Sequence, residues 1–416
     1  MERIILHSDL NNFYASVECL YRPEIRSYPV AVCGDVQQRH GIVLAKNGLA
    51  KKHGVKTGQP LWQARQLCPG ILFVPADFDK YLRFSKLVRK IYCDYTSQVE
   101  PFGLDECWLD ITQSGRNLAD GKRLADQLRQ RIFREIGLTV SVGVSFNKIF
   151  AKLGSDMKKP NATTVISRQS FPTQVWPLPA RDLLYIGKAT ARKLAARSIY
   201  TIGDLARSDI TALQNMLGKV GGMLWRYANG MDTSPVAHIS QQQEIKSIGN
   251  SSTTCRDLVS EQDIKLVLYL LCESVAARLR SRNLLCQTVH LFVRDYQLHS
   301  YTRQHKLLLP TQCSSDLFDA AFLLYQKHHT SRRPVRSLGV CASHLESQEN
   351  MQLFFSSSQS KRQNDLEQAI DDIRRRFGPA SIQRGIVVAD PALSQAGYLQ
   401  SPTSRPVGFS RQNWEL

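Results

Sequence analysis

Apolar residues along this chain recur with two different periods, and each change of period marks an element. Ile4-Ile5-Leu6 opens an unbroken apolar run, which predicts a buried strand over residues 3–9 that ends in His7-Ser8-Asp9. From Asn11 to about Asp77 the pattern breaks into short helices and loops punctuated by Gly41, Gly48, Gly54, Gly58, Pro60 and Pro69, the signature of a small inserted subdomain. A helical pattern follows from Tyr81 to Tyr95. Val99 to Ile111 then holds two strand-like runs around Gly103, which predicts a hairpin with Asp105 and Glu106 at its tip. Leu124, Leu128, Ile132 and Ile136 repeat every fourth residue as one face of an amphipathic helix, and the alternating Thr139 to Val144 reads as a strand. A helix over about Asn147 to Met157 and a closing strand at Thr164-Val165-Ile166 complete the segment. One antiparallel-to-mixed sheet with helices on one face accommodates all of these elements.

From Pro177 the pattern becomes helical and basic, and Ile186-Gly187-Lys188 falls at a helix-to-helix turn whose exposed backbone N–H groups suit a phosphate. Gln241-Gln242-Gln243 reads as a linker. Residues 246–344 follow with a long helix, about Gln262 to Arg280, and strands at Thr288–Val293, His299–Lys306 and Arg336–Ser343. The last seventy or so residues hold the apolar run Met351 to Phe355, a Ser-rich stretch, a helix over about Asn364 to Phe377, and an end beyond Pro391 expected to be poorly ordered.

Size and charge narrow the partners. At 416 residues the chain exceeds one ordinary core, and 54 Lys and Arg against 36 Asp and Glu leave +18, a balance suited to a polyanion such as nucleic acid. An anionic membrane would also attract such a charge. No apolar stretch approaches the ~18 residues needed to span one, and no signal peptide precedes the first strand, so the expectation is a cytoplasmic protein without membrane contact. The ten cysteines lie singly, without zinc spacing, as small buried hydrophobes of a reducing compartment.

The acids change the picture most. Asp105 and Glu106 sit in an apolar run, where ionised side chains are costly unless a positive group meets them. Asp9, at the end of another predicted strand, supplies a third carboxylate. About three carboxylates can bridge two metal ions roughly 3.5–4 Å apart, the device used for in-line attack at phosphorus. Successive strand residues point to opposite faces, so Asp105 and Glu106 share such a site only if a turn re-aims one of them, and Gly103 provides for it. An exposed hairpin tip bearing two solvated acids is the plainer alternative, which Asp9 weakens.

Asp9 to Glu18 (DLNNFYASVE), together with Gly103-Leu104-Asp105-Glu106, resembles the Y-family DNA polymerases. The likeness continues through Ser145-Phe146-Asn147-Lys148, Ala151-Lys152, Asp156 to Asn161 and the turn at Ile186-Gly187, with the bacterial DNA polymerase IV and UmuC-like branches nearest. The resemblance implies an α+β right-hand polymerase: palm at 1–10 and 78–166, small fingers at 11–77, helical thumb with a helix-hairpin-helix at 167–240, linker at 241–245, α/β little finger at 246–345, and a C-terminal tail at 346–416. It also implies lesion bypass, and no segment resembles a proofreading exonuclease.

Carried over by position, the resemblance implies that Asp9 and Asp105 bridge two Mg2+ ions, with Glu106 and the Leu10 carbonyl as further ligands. Lys159 would reach the incoming deoxynucleoside triphosphate, as would the backbone N–H groups of Asn12, Phe13 and Tyr14. The Tyr14 ring would act as a steric gate against a 2′ hydroxyl. Solvated lysine and plain core aromatic are the bland alternatives. Two departures stand out: Asn11 replaces an acid found in many members and is excluded as a ligand, and Asn47-Gly48-Leu49-Ala50-Lys51 replaces the usual Tyr-Glu-Ala-Arg. Lys51 keeps a positive charge there but not a planar fork.

Arg280, Arg282, Arg294, Arg303, Lys306 and Arg336 are the expected grip on primer-template DNA, with Ile186, Gly187 and Lys188. Gln352-Leu353-Phe354-Phe355 resembles the peptide that holds a sliding clamp, one residue short, with packing on the following helix as the alternative. The whole is expected to act as a monomer. A catalytically silent DNA-binding scaffold and a nucleotide cyclase with a similar palm are the competing classes.

Overall fold

The apolar run at the start of the chain folds as β1 (Ile5–Leu10), with all six residues buried. After it come α1 (Phe13–Tyr21), β2 (Val30–Cys33), β3 (Val43–Lys46), α2 (Gly48–Lys52), α3 (Leu61–Leu67), β4 (Leu72–Pro75) and α4 (Phe78–Cys93). Then follow β5 (Val99–Pro101), β6 (Glu106–Asp110), α5 (Leu118–Ile136), β7 (Val140–Ser145), α6 (Lys148–Met157) and β8 (Thr163–Ile166). This computed structural model describes residues 2–34, 41–241, 244–330, 333–348 and 358–394, with side chains of the last stretch from 362. The chain divides into two compact units, one of residues 1–32, 43–74 and 80–242, the other of 243–416 with 33–42 and 75–79.

In the first unit a five-stranded sheet runs β5-β6-β1-β7-β8, and only β7 and β8 are parallel. Helices cover both of its faces, not one as the sequence pattern suggested. A Cβ on Gly143 would lie 1.9 Å from the Ala151 carbonyl oxygen, so α6 presses on that face. A Cβ on Gly121 would lie 2.9 Å from Val144, which places α5 on the other. That double cover is why β1 and β7 are buried at every position.

The segment expected as short helices and loops also contains a sheet, β3-β2-β4, whose strands of four residues are too short to show a period. Beyond α7 (Phe171–Gln174), helices α8 (Lys188–Ala195), α9 (Ile202–Arg207), α10 (Ile210–Leu217) and α11 (Lys219–Ala228) form the basic segment. Leu194, Leu205, Leu213 and Leu224 share one apolar core there with Ile149 and Phe150 of α6.

The second unit holds β9 (Ser247–Leu258), α12 (Glu261–Ser281), β10 (Leu284–Asp295), β11 (Ser300–Thr311), α13 (Ser314–His328) and β12 (Val335–Ser347). Its sheet order is β11-β10-β12-β9, one strand more than the pattern gave, because half of β9 is Ser, Thr and Asn. Val289, Leu291, Val293, Leu338 and Val340 pack against α12 and α13, leaving the opposite face of the sheet without helices from this core.

The C-terminal segment is not a loose tail as far as Ser394. Helices α14 (Ser358–Phe377), α15 (Gly385–Val388) and α16 (Pro391–Ser394) dock on this unit, and Val387 and Leu393 enter its core. Buried ion pairs fasten them: Arg280 meets Glu367 and, at 2.7 Å, Asp371, while Glu273 meets Arg374 at 2.9 Å and Arg384 at 2.6 Å. Arg280 therefore serves that docking and is corrected as a DNA contact.

Candidate active site

The three acids converge by two devices. Asp9 and Glu106 are paired across β1 and β6, so both point to the face that α6 covers. Asp105 lies just before β6 in a turn, where Gly103 has φ +88° and the Leu10 N–H donates to the Asp105 carbonyl at 3.0 Å. The turn, not a strand, aims Asp105.

Helix α6 supplies a counter-charge from Lys152, with Lys159 just beyond its end and Asp156 pairing with both lysines. Lys152 Nζ lies 2.9 Å from Glu106 Oε2 and 3.4 Å from Asp9 Oδ2, and Lys159 Nζ lies 2.7 Å from Asp9 Oδ2 and 2.8 Å from Asp156 Oδ1. His7 approaches Glu106 Oε2 at 3.3 Å through Nε2, and its Nδ1 is 2.8 Å from Ser155 Oγ. Lys152 and His7 were not assigned roles from sequence. The i, i+4 spacing of Lys152 and Asp156, with Lys159 three further on, is the signal that could have found the first.

The electrostatics are those of crowded negative charge. Burial, then the charges of Asp9 and Glu106, push the Asp105 carboxyl up to about 7. Burial and Glu106 also push Asp9 upward, against the pull of the two lysines. Burial works to raise Glu106 too, yet His7 and Lys152 overcome it and hold that carboxyl well below its ordinary range. Among the described residues no three metal-binding side chains form a finished cage. The donor set still fits a hard divalent ion: all carboxylate oxygen, already attracting cations, with Glu106 Oε2 buried and short of a well-angled hydrogen bond.

Tyr14 lies on α1 beside this cluster, its ring stacked on Tyr81 with centroids 4.2 Å apart and planes 12° apart. Burial and then Asp105 push its phenol upward. Asn12, the exposed N-cap of α1, is left-handed at φ 51°, and Phe13 is buried. The Asn11 amide is taken up by Thr139 and Ser141, in keeping with its exclusion as a ligand.

Lys51 is exposed on α2, near enough to Lys46 to lower that ammonium after burial has done so. Ile186 is buried, whereas Gly187 and Lys188 are exposed at the start of α8, where no side chain caps the helix. In the second unit, Arg294 and Lys306 share the face opposite the helices, whereas the register puts Arg303 on the helix-covered face at an edge strand. Arg336 sits at a register shift in β12. Gln352, Leu353, Phe354 and Phe355 lie outside the described residues, as do 242–243 of the linker and the end beyond 394.

Two acids paired across the adjacent strands β1 and β6 and a third from the turn before β6, with lysines beside them, define a palm-type nucleotidyltransferase. The chain matches the impB/mucB/samB family at residues 8–156, that family's C-terminal domain at 245–354, and a thumb domain described from DNA polymerase iota at 181–232. It is 49% identical to a DNA polymerase IV of Acetivibrio thermocellus over 95% of this chain and 100% of that one. It is 36% identical to DNA polymerase IV 1 of Bacillus subtilis over 92% of each. A solved Y-family DNA polymerase chimera superposes with a TM-score of 0.73 at 26% identity, covering 83% of this chain and 99% of that one.

The chain belongs to the Y family of DNA polymerases. Within it the chain falls in the bacterial DNA polymerase IV group, so it is a template-directed translesion polymerase acting on DNA and deoxynucleoside triphosphates, and metal-dependent as its family is. The silent-scaffold alternative finds no support. No helix among the described residues is long and apolar enough to cross a membrane.

Proposed function

We propose that Asp9, Asp105 and Glu106, with the Leu10 carbonyl, hold two Mg2+ ions for nucleotidyl transfer. The observation that carries this is the convergence of three acids at one place, where burial and then the charges of Asp9 and Glu106 push Asp105 up to about 7. Bound there, the metal would activate the primer 3′ hydroxyl and steady the leaving pyrophosphate. Asp9 of β1, Glu106 of β6 and Asp105 of the turn before it would hold that metal. Lys159 leaves Asp9 for the triphosphate, where its ammonium stabilises developing charge. The N–H groups of Asn12, Phe13 and Tyr14, and Lys51 from α2, approach the same phosphates. Tyr14, braced by Tyr81, closes the sugar pocket to a 2′ hydroxyl.

Duplex DNA is held by backbone N–H groups around Ile186, Gly187 and Lys188 and by the face carrying Arg294 and Lys306. Arg303 and Arg336 add charge at its margins. Residues 352–355 bind a sliding clamp, a reading supported by their sequence alone. One copy of the chain carries every residue named, which supports a monomer, and bacterial DNA as its substrate supports the cytoplasm. Primer extension before and after chelation tests the metal reading: extension restored by added Mg2+ is expected, and undiminished extension in a metal-free reaction would contradict it.

A further inference from the structure

Three consecutive carbonyls in the turn that presents the acids are each captured by a hydrogen bond, one from β1 and two from α4. The Leu10 N–H of β1 donates to Asp105 O at 3.0 Å. The other two bonds come from α4: Ser85 Oγ donates to Leu104 O, and Arg89 Nη2 donates to Gly103 O at 2.7 Å. Ser85 and Arg89 are one helical turn apart on one face of α4, both buried, at 1% and 6% exposure.

Arg89 is costly in this position. Its Nε and Nη1 find no oxygen acceptor, and among the described residues it forms no ion pair with a carboxylate. Beside the guanidinium lies the buried thiol of Cys107, not an acid. A buried cation of this kind is destabilising unless the contact it makes is worth keeping. The contact it makes is with the carbonyl of Gly103, whose φ of +88° lets the chain reverse and turns Asp105 out of the strand alternation toward Asp9 and Glu106.

We propose that Ser85 and Arg89 are positioning residues for the catalytic acids: they hold the 103–105 turn from behind, and through it the side chain of Asp105. Neither touches substrate. They set the geometry into which a divalent ion binds, as outer partners do around metal ligands. The inference rests on the carboxylate reading above.

The test measures Mn2+ binding by calorimetry to the full chain on a dideoxy-terminated primer-template with the next nucleotide, where no reaction follows. Ser85→Ala and Arg89→Met are expected to weaken Mn2+ binding about tenfold or more, the usual cost of losing such support. Primer-template affinity is expected to stay as in the parent, and Arg89→Lys, which restores a donor to Gly103 O, to recover most of the loss. Should Arg89→Met fail to fold, Ser85→Ala and Arg89→Lys carry the test. Parent-like Mn2+ affinity in Ser85→Ala, with binding lost in Asp105→Asn, overturns this inference alone. Parent-like affinity in Asp105→Asn overturns the carboxylate reading and this inference with it.

Discussion

Lys159 Nζ lies 2.7 Å from Asp9 Oδ2, so the ammonium assigned to the triphosphate rests on an acid assigned to the metal. Asp156, 2.8 Å away on its other side, keeps it within reach of the site. With a divalent ion held at Asp9, that ammonium would lose this partner and be available to the incoming phosphates. Lys159→Ala is expected to lower nucleotide incorporation about 10²-fold, in the range for losing one preorganised donor to transition-state charge. Single-turnover incorporation against nucleotide concentration reads this, with primer-template affinity unchanged.

The stacked pair Tyr14 and Tyr81 would give the proposed sugar gate its rigidity, since Tyr81 OH is tied at 3.0 Å to the buried carboxylate of Glu18. Tyr14→Ala is expected to improve ribonucleotide use relative to deoxynucleotide by tenfold or more, about 1.4 kcal/mol. The ratio of kcat/KM for the two sugars is the measurement, and an unchanged ratio removes the gate.

Metal binding is expected to steady the fold as well as serve catalysis. Asp9, Asp105 and Glu106 crowd one another, and a cation that binds only the folded chain raises its stability by mass action, about 2.7 kcal/mol at a hundred times Kd. Thermal melts with and without Mg2+ should show a higher Tm for the parent with metal and a smaller rise for Asp105→Asn.

The docked C-terminal helices give two further outcomes. Glu367→Ala leaves Arg280 buried with one partner fewer and is expected to cost ~3–5 kcal/mol, read by denaturant unfolding of the full chain. Arg256 hydrogen-bonds both Asp263 and Asp390, 2.7 and 2.8 Å away, and holds both carboxyls below their usual range. Lowered carboxyls contribute fully above the unfolded value of about 3.9 and lose that contribution as pH falls through their folded values. Hydrogen exchange over 385–394 should therefore rise on strong acidification, and Arg256→Gln should make it fast at neutral pH.

The acids were legible because each breaks an apolar run, and Gly103 marked the turn that lets Asp105 join them. The helix over Leu124 to Ile136 and the strand at Thr139 to Val144 declared themselves by period. What escaped was written in tertiary contact. Nothing in the short run Val30–Cys33 tells a strand from a helix fragment, and β9 hides behind Ser and Thr. Arg280 looks like any surface cation until Glu367, 87 residues later, folds against it. Helix α13 does carry a helical period, in Leu317, Phe318, Ala321 and Leu324. Lys152 and His7 matter only because β1 and α6 face each other, a pairing no local pattern contains.

The central claim is that Asp105, turned out of its strand beside Asp9 and Glu106, makes this chain's polymerase chemistry possible. Single-nucleotide incorporation on a defined primer-template with Mg2+, comparing the parent with Asp105→Ala, tests it most directly. The account predicts template-directed incorporation by the parent and its loss in Asp105→Ala, with primer-template binding intact. Incorporation at the parent rate by folded Asp105→Ala would contradict it.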